Sequence, residues 1–329
     1  MQLDIVIPCF NEEEVLRSTH SRVRSILEEV KIKKLIDDFN IIYVDDGSTD
    51  GTFELLDEYS QKEKFVKVLS FSKNFGHQAA LSAGLRVAEG DAVISLDADL
   101  QDPPELIEEM LICYRNGFKI VYGVRNDREE DTFFKRITAT GFYKLMQWLG
   151  VSIVTHHAEY RLGSRQVLEA FKQYGEVNMF LRGLFPLIGF KHCTVKYKRK
   201  QRLAGKTKYP LGAMLKFSFE GITSFSVIPL RVASLVGLFV CFFSLLASAW
   251  GFLTHLFGNS VPGWTSIVLP IYFLGGVQLV FLGLIGEYIG KIYLEVKKRP
   301  HYIVWKTMNL NENKQLDNFD SNDKSISND

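Results

Sequence analysis

The residues equipped for chemistry lie in three short polar strings. Asp97-Ala98-Asp99-Leu100-Gln101-Asp102-Pro103-Pro104-Glu105 sets two carboxylates two positions apart, so Asp97 and Asp99 project to the same side of an extended segment. Carboxylates held that close repel each other unless a divalent cation lies between them. Oxygen ligands with open coordination positions suit Mg²⁺ or Mn²⁺ bridging a diphosphate. The other two strings are Pro8-Cys9-Phe10-Asn11-Glu12-Glu13 and Asp45-Asp46-Gly47-Ser48-Thr49-Asp50-Gly51. Asp, Gly, Ser and Thr also serve turns and helix caps, so no single string decides the matter. Three of them, each at the end of an apolar run, predict one ligand site.

The elements that must position these strings follow from the apolar spacing. Leu3 to Ile7, Ile41 to Val44, Val66 to Phe71, Ala92 to Leu96 and Ile120 to Val124 are short, rich in Val and Ile, and separated by segments of helical period. That alternation predicts an α/β fold with a mostly parallel sheet, whose ligands bind beyond the carboxyl ends of the strands. In the first intervening helix Val15, Leu16, Val23, Ile26, Leu27 and Val30 recur near a 3.6-residue period. Glu12, Glu13 and Glu14 sit where the helix dipole favours acids. One more β-like run, His192 to Lys198, precedes a basic stretch ending at Tyr209.

The charge pattern then changes abruptly. The 39 basic and 38 acidic residues leave a net charge of +1, which argues against a nucleic-acid partner held by bulk charge. No Asp, Glu, Lys or Arg occurs in the 55 residues between Arg231 and Glu287, which excludes a purely soluble enzyme. This region divides at Gly258 to Gly263, predicting two transmembrane helices at about 232–257 and 264–289 within 230–290. Before it, Leu211, Met214, Leu215, Phe219, Ile222 and Phe225 lie at helical spacing, so residues 211–229 are read as an amphipathic interfacial helix. Lys206, Lys208, Lys216 and Arg231 on one flank, and Lys291, Lys297, Lys298 and Arg299 on the other, predict that both termini face the cytoplasm. Residues 291–305 are then a cytoplasmic flank, and the Asn-, Asp- and Ser-rich residues 306–329 a disordered tail.

Several alternatives fall away on the same residues. Cys9, Cys113, Cys193 and Cys241 show no metal or disulfide spacing, and no signal peptide is evident at the N-terminus. No G-x-G-x-x-G follows a strand. Gly205-Lys206-Thr207 mimics the end of a P-loop, but Lys200 occupies the required earlier glycine position.

The three strings resemble those of an inverting GT-A glycosyltransferase of family 2, over residues 1–210. The Asp97 to Glu105 string, with Asn74-Phe75-Gly76-His77-Gln78-Ala79-Ala80-Leu81 and Ala204-Gly205-Lys206-Thr207-Lys208-Tyr209, is similar to the polyprenyl-phosphate glycosyltransferases, a group that includes dolichol-phosphate mannosyltransferase. The nearest likeness is to the bacterial bactoprenol glucosyltransferases, and it runs from about residue 3 to 303. This resemblance implies a Rossmann-like GT-A domain, an interfacial helix and a two-helix membrane hairpin in the bacterial inner membrane. It implies transfer of glucose from UDP-glucose to undecaprenyl phosphate for cell-surface glycan modification, with GDP-mannose or another UDP-sugar as alternative donors, and a homotetramer.

Residue by residue, the resemblance assigns nucleotide-sugar binding to Pro8, Asn11, Glu12, Asp46, Asp97, Arg125 and Arg202. It assigns the metal to Asp97, Asp99 and Gln101, and the acceptor phosphate to Arg136, Lys206 and Lys208. Asp99, Glu159 and Arg161 are the catalytic candidates. The chain departs from many bacterial relatives at Glu159-Tyr160-Arg161-Leu162, where they carry Asp in place of Glu159. A phosphate monoester with a second pKa of about 6 is largely dianionic at neutral pH, so Glu159 is read as a base or as a positioning group. A processive polysaccharide synthase would carry Gln-x-x-Arg-Trp, and no Trp here follows an Arg. A transporter would need a charged pathway that these spans lack.

Overall fold

The computed structural model describes residues 1–125, 157–175, 181–198, 228–256 and 264–310. Eight strands form one sheet in the order β7-β5-β6-β4-β1-β2-β3-β8. They are β1 Gln2–Cys9, β2 Asp38–Asp45, β3 Val66–Phe71, β4 Ala92–Ser95, β5 Ile120–Arg125, β6 His157–Ser164, β7 His192–Tyr197 and β8 Val304–Met308. The pairs β1/β2, β1/β4, β2/β3 and β5/β7 are parallel, and β6 and β8 run antiparallel to their neighbours. The mostly parallel α/β sheet expected from the apolar runs is therefore present, with an antiparallel strand, β6, inserted between β4 and β5.

Six helices flank the sheet among the described residues: α1 Glu13–Ile32, α2 Thr52–Lys62, α3 His77–Val87, α4 Leu106–Arg115, α5 Arg165–Lys172 and α6 Leu181–Ile188. Strands β1 to β4 are buried on both faces nearly throughout, so each supplies two cores, whereas the edge strands β7 and β8 are partly exposed. Leu3, Ile5 and Ile7 of β1 pack with α1 and α4, while Val6 joins Val44, Leu81 and Leu85 in the second cluster. Asp4 interrupts that alternation and is fully buried. Its carboxylate accepts from Asn40 Nδ2 at 2.8 Å, Glu89 N at 2.7 Å and Gly90 N at 2.8 Å, which offsets the cost of burying it. Gly84 lets α3 approach closely, since a Cβ there would stand 2.3 Å from Val6 Cγ1.

The chain separates into two compact units, one holding the sheet together with residues 300–310 and the other holding 228–299 among the described residues. The second unit consists of α7 Ile228–Leu256, 29 residues, and α8 Trp264–Lys297, 34 residues. Both exceed the roughly 20 residues a bilayer core requires. Among the described residues, Phe273–Lys297 passes as a membrane span by length and composition, with mean hydropathy 1.5.

Two boundaries differ from the sequence reading. α8 runs through Lys291 to Lys297 into the expected flank, because no helix breaker occurs between Lys291 and Pro300. Val304–Met308 is a strand that crosses from that flank into the expected disordered tail. The open edge of β3 is what it pairs with. Of the expected interfacial helix at 211–229, residues 211–227 lie outside the described residues and 228–229 begin α7.

Candidate active site

The carboxyl ends of β1, β2 and β4 open onto a cleft of about 400 Å³. Pro8, Glu12, Asp46, Asp97 and Asp99 of the predicted set line it, together with Cys9, Phe10, Asn74, Gly76, His77, Ala80 and Ala98. A parallel sheet produces this meeting of distant strings because its strands all end at the same edge.

The loops after β1 and β2 are latched to one another. Asn11 N donates to Ser48 Oγ at 3.0 Å, and Thr49 N donates to Asn11 Oδ1 at 2.8 Å. Glu12 N donates to Thr52 Oγ1 at 2.9 Å, and Gly51 N to Glu13 Oε2 at 2.9 Å. Asn11 thus fastens one loop to the next and is not among the residues lining the cleft.

Asp45, the last residue of β2, and Asp46, just beyond it, face different partners. Asp45 accepts from Ser48 N at 3.0 Å and from Ser70 Oγ at 2.7 Å. Asp46 accepts from Phe75 N at 2.7 Å and Gly76 N at 2.9 Å, and so holds the segment that leads into α3. Desolvation raises the Asp46 carboxyl above its ordinary range despite those two amides. Gly47, at φ +67, lets the β2 loop pass under that segment, since a Cβ there would stand 2.3 Å from the Lys73 carbonyl carbon.

At the end of β4, Asp97 Oδ1 lies 3.0 Å from His77 Nε2. Desolvation pushes the Asp97 carboxyl up, but the His77 hydrogen bond and the charges of His77, Arg125 and Arg182 outweigh it and hold the carboxyl below its ordinary range. Leu100 turns the chain at φ 54, and Gln101 N donates to Asp99 Oδ1 at 3.1 Å. Gln101 is buried and does not line the cleft. No group of three or more His, Cys, Asp or Glu gathers as a closed metal site among the described residues. Asp97 and Asp99 both line the cleft, alongside Glu12 and Asp46, and carboxylate oxygens of this kind are chemically suited to Mg²⁺ or Mn²⁺.

Arg125 stands behind this edge. Its Nη2 donates to Asp102 at 3.2 and 3.3 Å and its Nε to the Tyr197 hydroxyl at 3.2 Å, which itself donates to Asp102 Oδ1 at 2.5 Å. Burial raises the Asp102 carboxyl, and Arg125 opposes that shift.

Glu159 and Arg161 lie on β6, one residue apart on the same side. Glu159 is 5% exposed and Arg161 1%. The Glu159 carboxylate is ion-paired with Arg161, accepts from Arg182 Nε at 2.8 Å and from Gln78 Nε2 at 3.2 Å. Arg161 Nη1 donates to the Leu181 carbonyl at 3.0 Å, and its guanidinium lies 4.6 Å from the Phe185 ring centroid. Burial lowers the Arg161 guanidinium to about 9, with the nearby Arg182 charge adding to the shift and Tyr122 and Asp97 opposing it. Glu159 does not line the cleft; it ties β6 to α3 and α6.

His77, Gln78 and Arg182 were not foreseen as site residues. The signal for the first two lies inside the Asn74 to Leu81 string. Arg136, Arg202, Lys206 and Lys208 lie outside the described residues.

Known proteins give the same reading. The model of glycosyl transferase family 2 matches residues 4–171, and that of the GtrB C-terminal hairpin matches 228–292. The chain is 49% identical over 305 residues to the glycosyltransferase YkoT of Bacillus subtilis, covering 92% of this chain and 90% of that protein. It is 41% identical over 309 residues to a prophage-derived bactoprenol glucosyl transferase of Shigella flexneri, covering 93% and 98%. It is 40% identical over 306 residues to a prophage bactoprenol glucosyl transferase homolog of Escherichia coli, covering 92% and 98%.

Proposed function

Since the chain belongs to glycosyltransferase family 2 and carries a GtrB-type C-terminal hairpin, we propose that it transfers glucose from UDP-glucose to a polyprenyl phosphate, undecaprenyl phosphate being the first choice. The observation that carries the proposal is the cleft itself, where Asp46, Asp97 and Asp99 meet at the carboxyl edge of the sheet in a chain whose relatives are named for this reaction. The enzyme acts at the cytoplasmic face of the bacterial inner membrane, with two spans and both termini inside; the charge-free spans between basic flanks support this.

In this reading an oxygen of the lipid phosphate attacks the anomeric carbon as the bond from that carbon to the UDP oxygen breaks on the opposite face, inverting the configuration. Asp97 and Asp99 would hold Mg²⁺ or Mn²⁺, which when bound neutralises diphosphate charge as it departs. The latched β1 and β2 loops and the Asp46-held segment shape the nucleotide pocket before substrate arrives. Because the acceptor is already largely dianionic at neutral pH, the chain's task is to align and desolvate it rather than to remove a proton.

Purified protein in detergent, incubated with radiolabelled sugar nucleotides and undecaprenyl phosphate, should give labelled lipid from UDP-glucose. Label from GDP-mannose or another UDP-sugar instead would change the donor. No labelled lipid from any donor, with the label released only as free sugar, would reject the acceptor.

A further inference from the structure

The segment that follows α8 returns to the sheet and packs beside the cleft wall. Ser72 N donates to the Ile303 carbonyl at 3.0 Å, just before the Asn74–His77 wall. Tyr302 is 7% exposed and stacks on Phe71, with ring centroids 4.7 Å apart at 14°. Phe71, itself 2% exposed, meets Phe75 edge-on at 5.8 Å and 90°. The Phe75 amide is the one that donates to Asp46 in the cleft. The far end of the segment is fastened too, since Asn309 Nδ2 donates to the carbonyls of Ser60 and Val66 at 2.7 and 2.8 Å.

We propose that Tyr302 is a positioning residue for the cleft, bracing the Phe75–His77 wall through the stack Tyr302–Phe71–Phe75. Aromatic side chains suit this role because they transmit position through rigid contact faces with two rotatable bonds. Elsewhere the wall is held at its amides by the Asp46 carboxylate and at its end by His77 against Asp97. The Phe75 ring meets Phe71 on one side and Lys73 Nζ, 5.2 Å from its centroid, on another, and the stack is what ties that ring back to the sheet. Trp305, on the same strand but 64% exposed and set against Phe53 at 5.1 Å, takes no part in the stack. It is the internal control.

The bracing itself is independent of which ligand the cleft takes; only its effect on nucleotide binding rests on the proposed function. Full-length protein is compared with Tyr302→Leu, Tyr302→Phe and Trp305→Ala by hydrogen exchange of the segment spanning residues 72–80 and by titration with UDP in the presence of Mn²⁺. In Tyr302→Leu the exchange of that segment should speed up and UDP affinity should fall, each on the order of tenfold, the scale of one aromatic pair. Trp305→Ala should match the wild type in both, and Tyr302→Phe, which keeps the ring, should stay nearer the wild type than Tyr302→Leu does. Unchanged exchange at 72–80 in Tyr302→Leu, or equal acceleration across every strand, would overturn the proposal. Faster exchange in a protein whose wild type binds no UDP would uphold the brace and reject the nucleotide reading of the cleft. Should Tyr302→Leu fail to fold, Phe75→Leu, at a half-buried position, removes the last ring and carries the same expectations.

Discussion

Replacing Glu159 by Gln distinguishes a proton acceptor from a structural anion. The substitution conserves volume and leaves the Arg161 guanidinium, 1% exposed, without the carboxylate that faces it. Removing one partner of a buried ion pair costs about 3–5 kcal/mol. At roughly 2–4 °C per kcal/mol for a unit of this size, the sheet unit should melt roughly 6–20 °C lower. The lower half of that range is expected, because the amide oxygen still accepts from Arg182 Nε, which sits at 2.8 Å in the native protein. Melting is read by intrinsic fluorescence, and transfer by single-turnover kinetics from about pH 5.5 to 8, across the acceptor's second ionisation. If Glu159 positions α3 and α6, activity falls by a similar factor at every pH. If it is an obligatory base, the defect is greatest at the acidic end and shrinks as the acceptor ionises. A melting temperature within about 2 °C of wild type, with a rate defect confined to acid pH, would refute the structural reading.

Two further outcomes test the scaffold. Gly84→Ala drives a methyl into Val6 and Val44, at 2.3 and 3.0 Å, so overpacking should cost about 1–3 kcal/mol and lower the melting temperature of the sheet unit. His20, hydrogen-bonded to Tyr43 and Glu63 at 3.0 Å each, has its pKa lowered from 6.5 by desolvation, which outweighs the raising effect of Glu63. Between its folded value and 6.5 the unfolded chain binds a proton that the fold does not, so this residue's contribution should raise stability as pH climbs to about 6.5 and level off above it; thermal melts of wild type against His20→Gln from about pH 5 to 7.5 should show that increment only in the wild type.

The strands with continuous Val and Ile were readable because a strand buried on both faces needs apolar residues at successive positions. β6 was not, because Glu159 and Arg161 occupy its interior positions and can do so only as a pair, which sequence spacing alone does not reveal. β8 was hidden by the polar composition that follows it and because Val304-Trp305-Lys306-Thr307-Met308 shows no period-2 alternation of apolar residues. The cleft acids were legible because their strings terminate strands of one parallel sheet. His77 was not, since its meeting with Asp97 depends on where α3 begins, 20 residues earlier in the chain. The Arg125–Asp102–Tyr197 triad likewise joins three elements through side-chain reach, for which no local pattern exists.

The antiparallel pairing of β3 with β8 has a consequence for biogenesis. Ser60 and Met308, which meet beside this edge, are 248 positions apart, and both long apolar helices lie between them in the chain. During synthesis β3 therefore presents an open row of amides and carbonyls until the hairpin has left the ribosome and the strand beyond it has followed. An unfinished edge of that kind invites pairing with other chains, so a ribosome stalled within the hairpin would leave a nascent product prone to aggregation. Completion of the sheet is thereby timed to the delivery of the membrane segment, and a catalytic unit released without its anchor would also lack the strand that closes its edge.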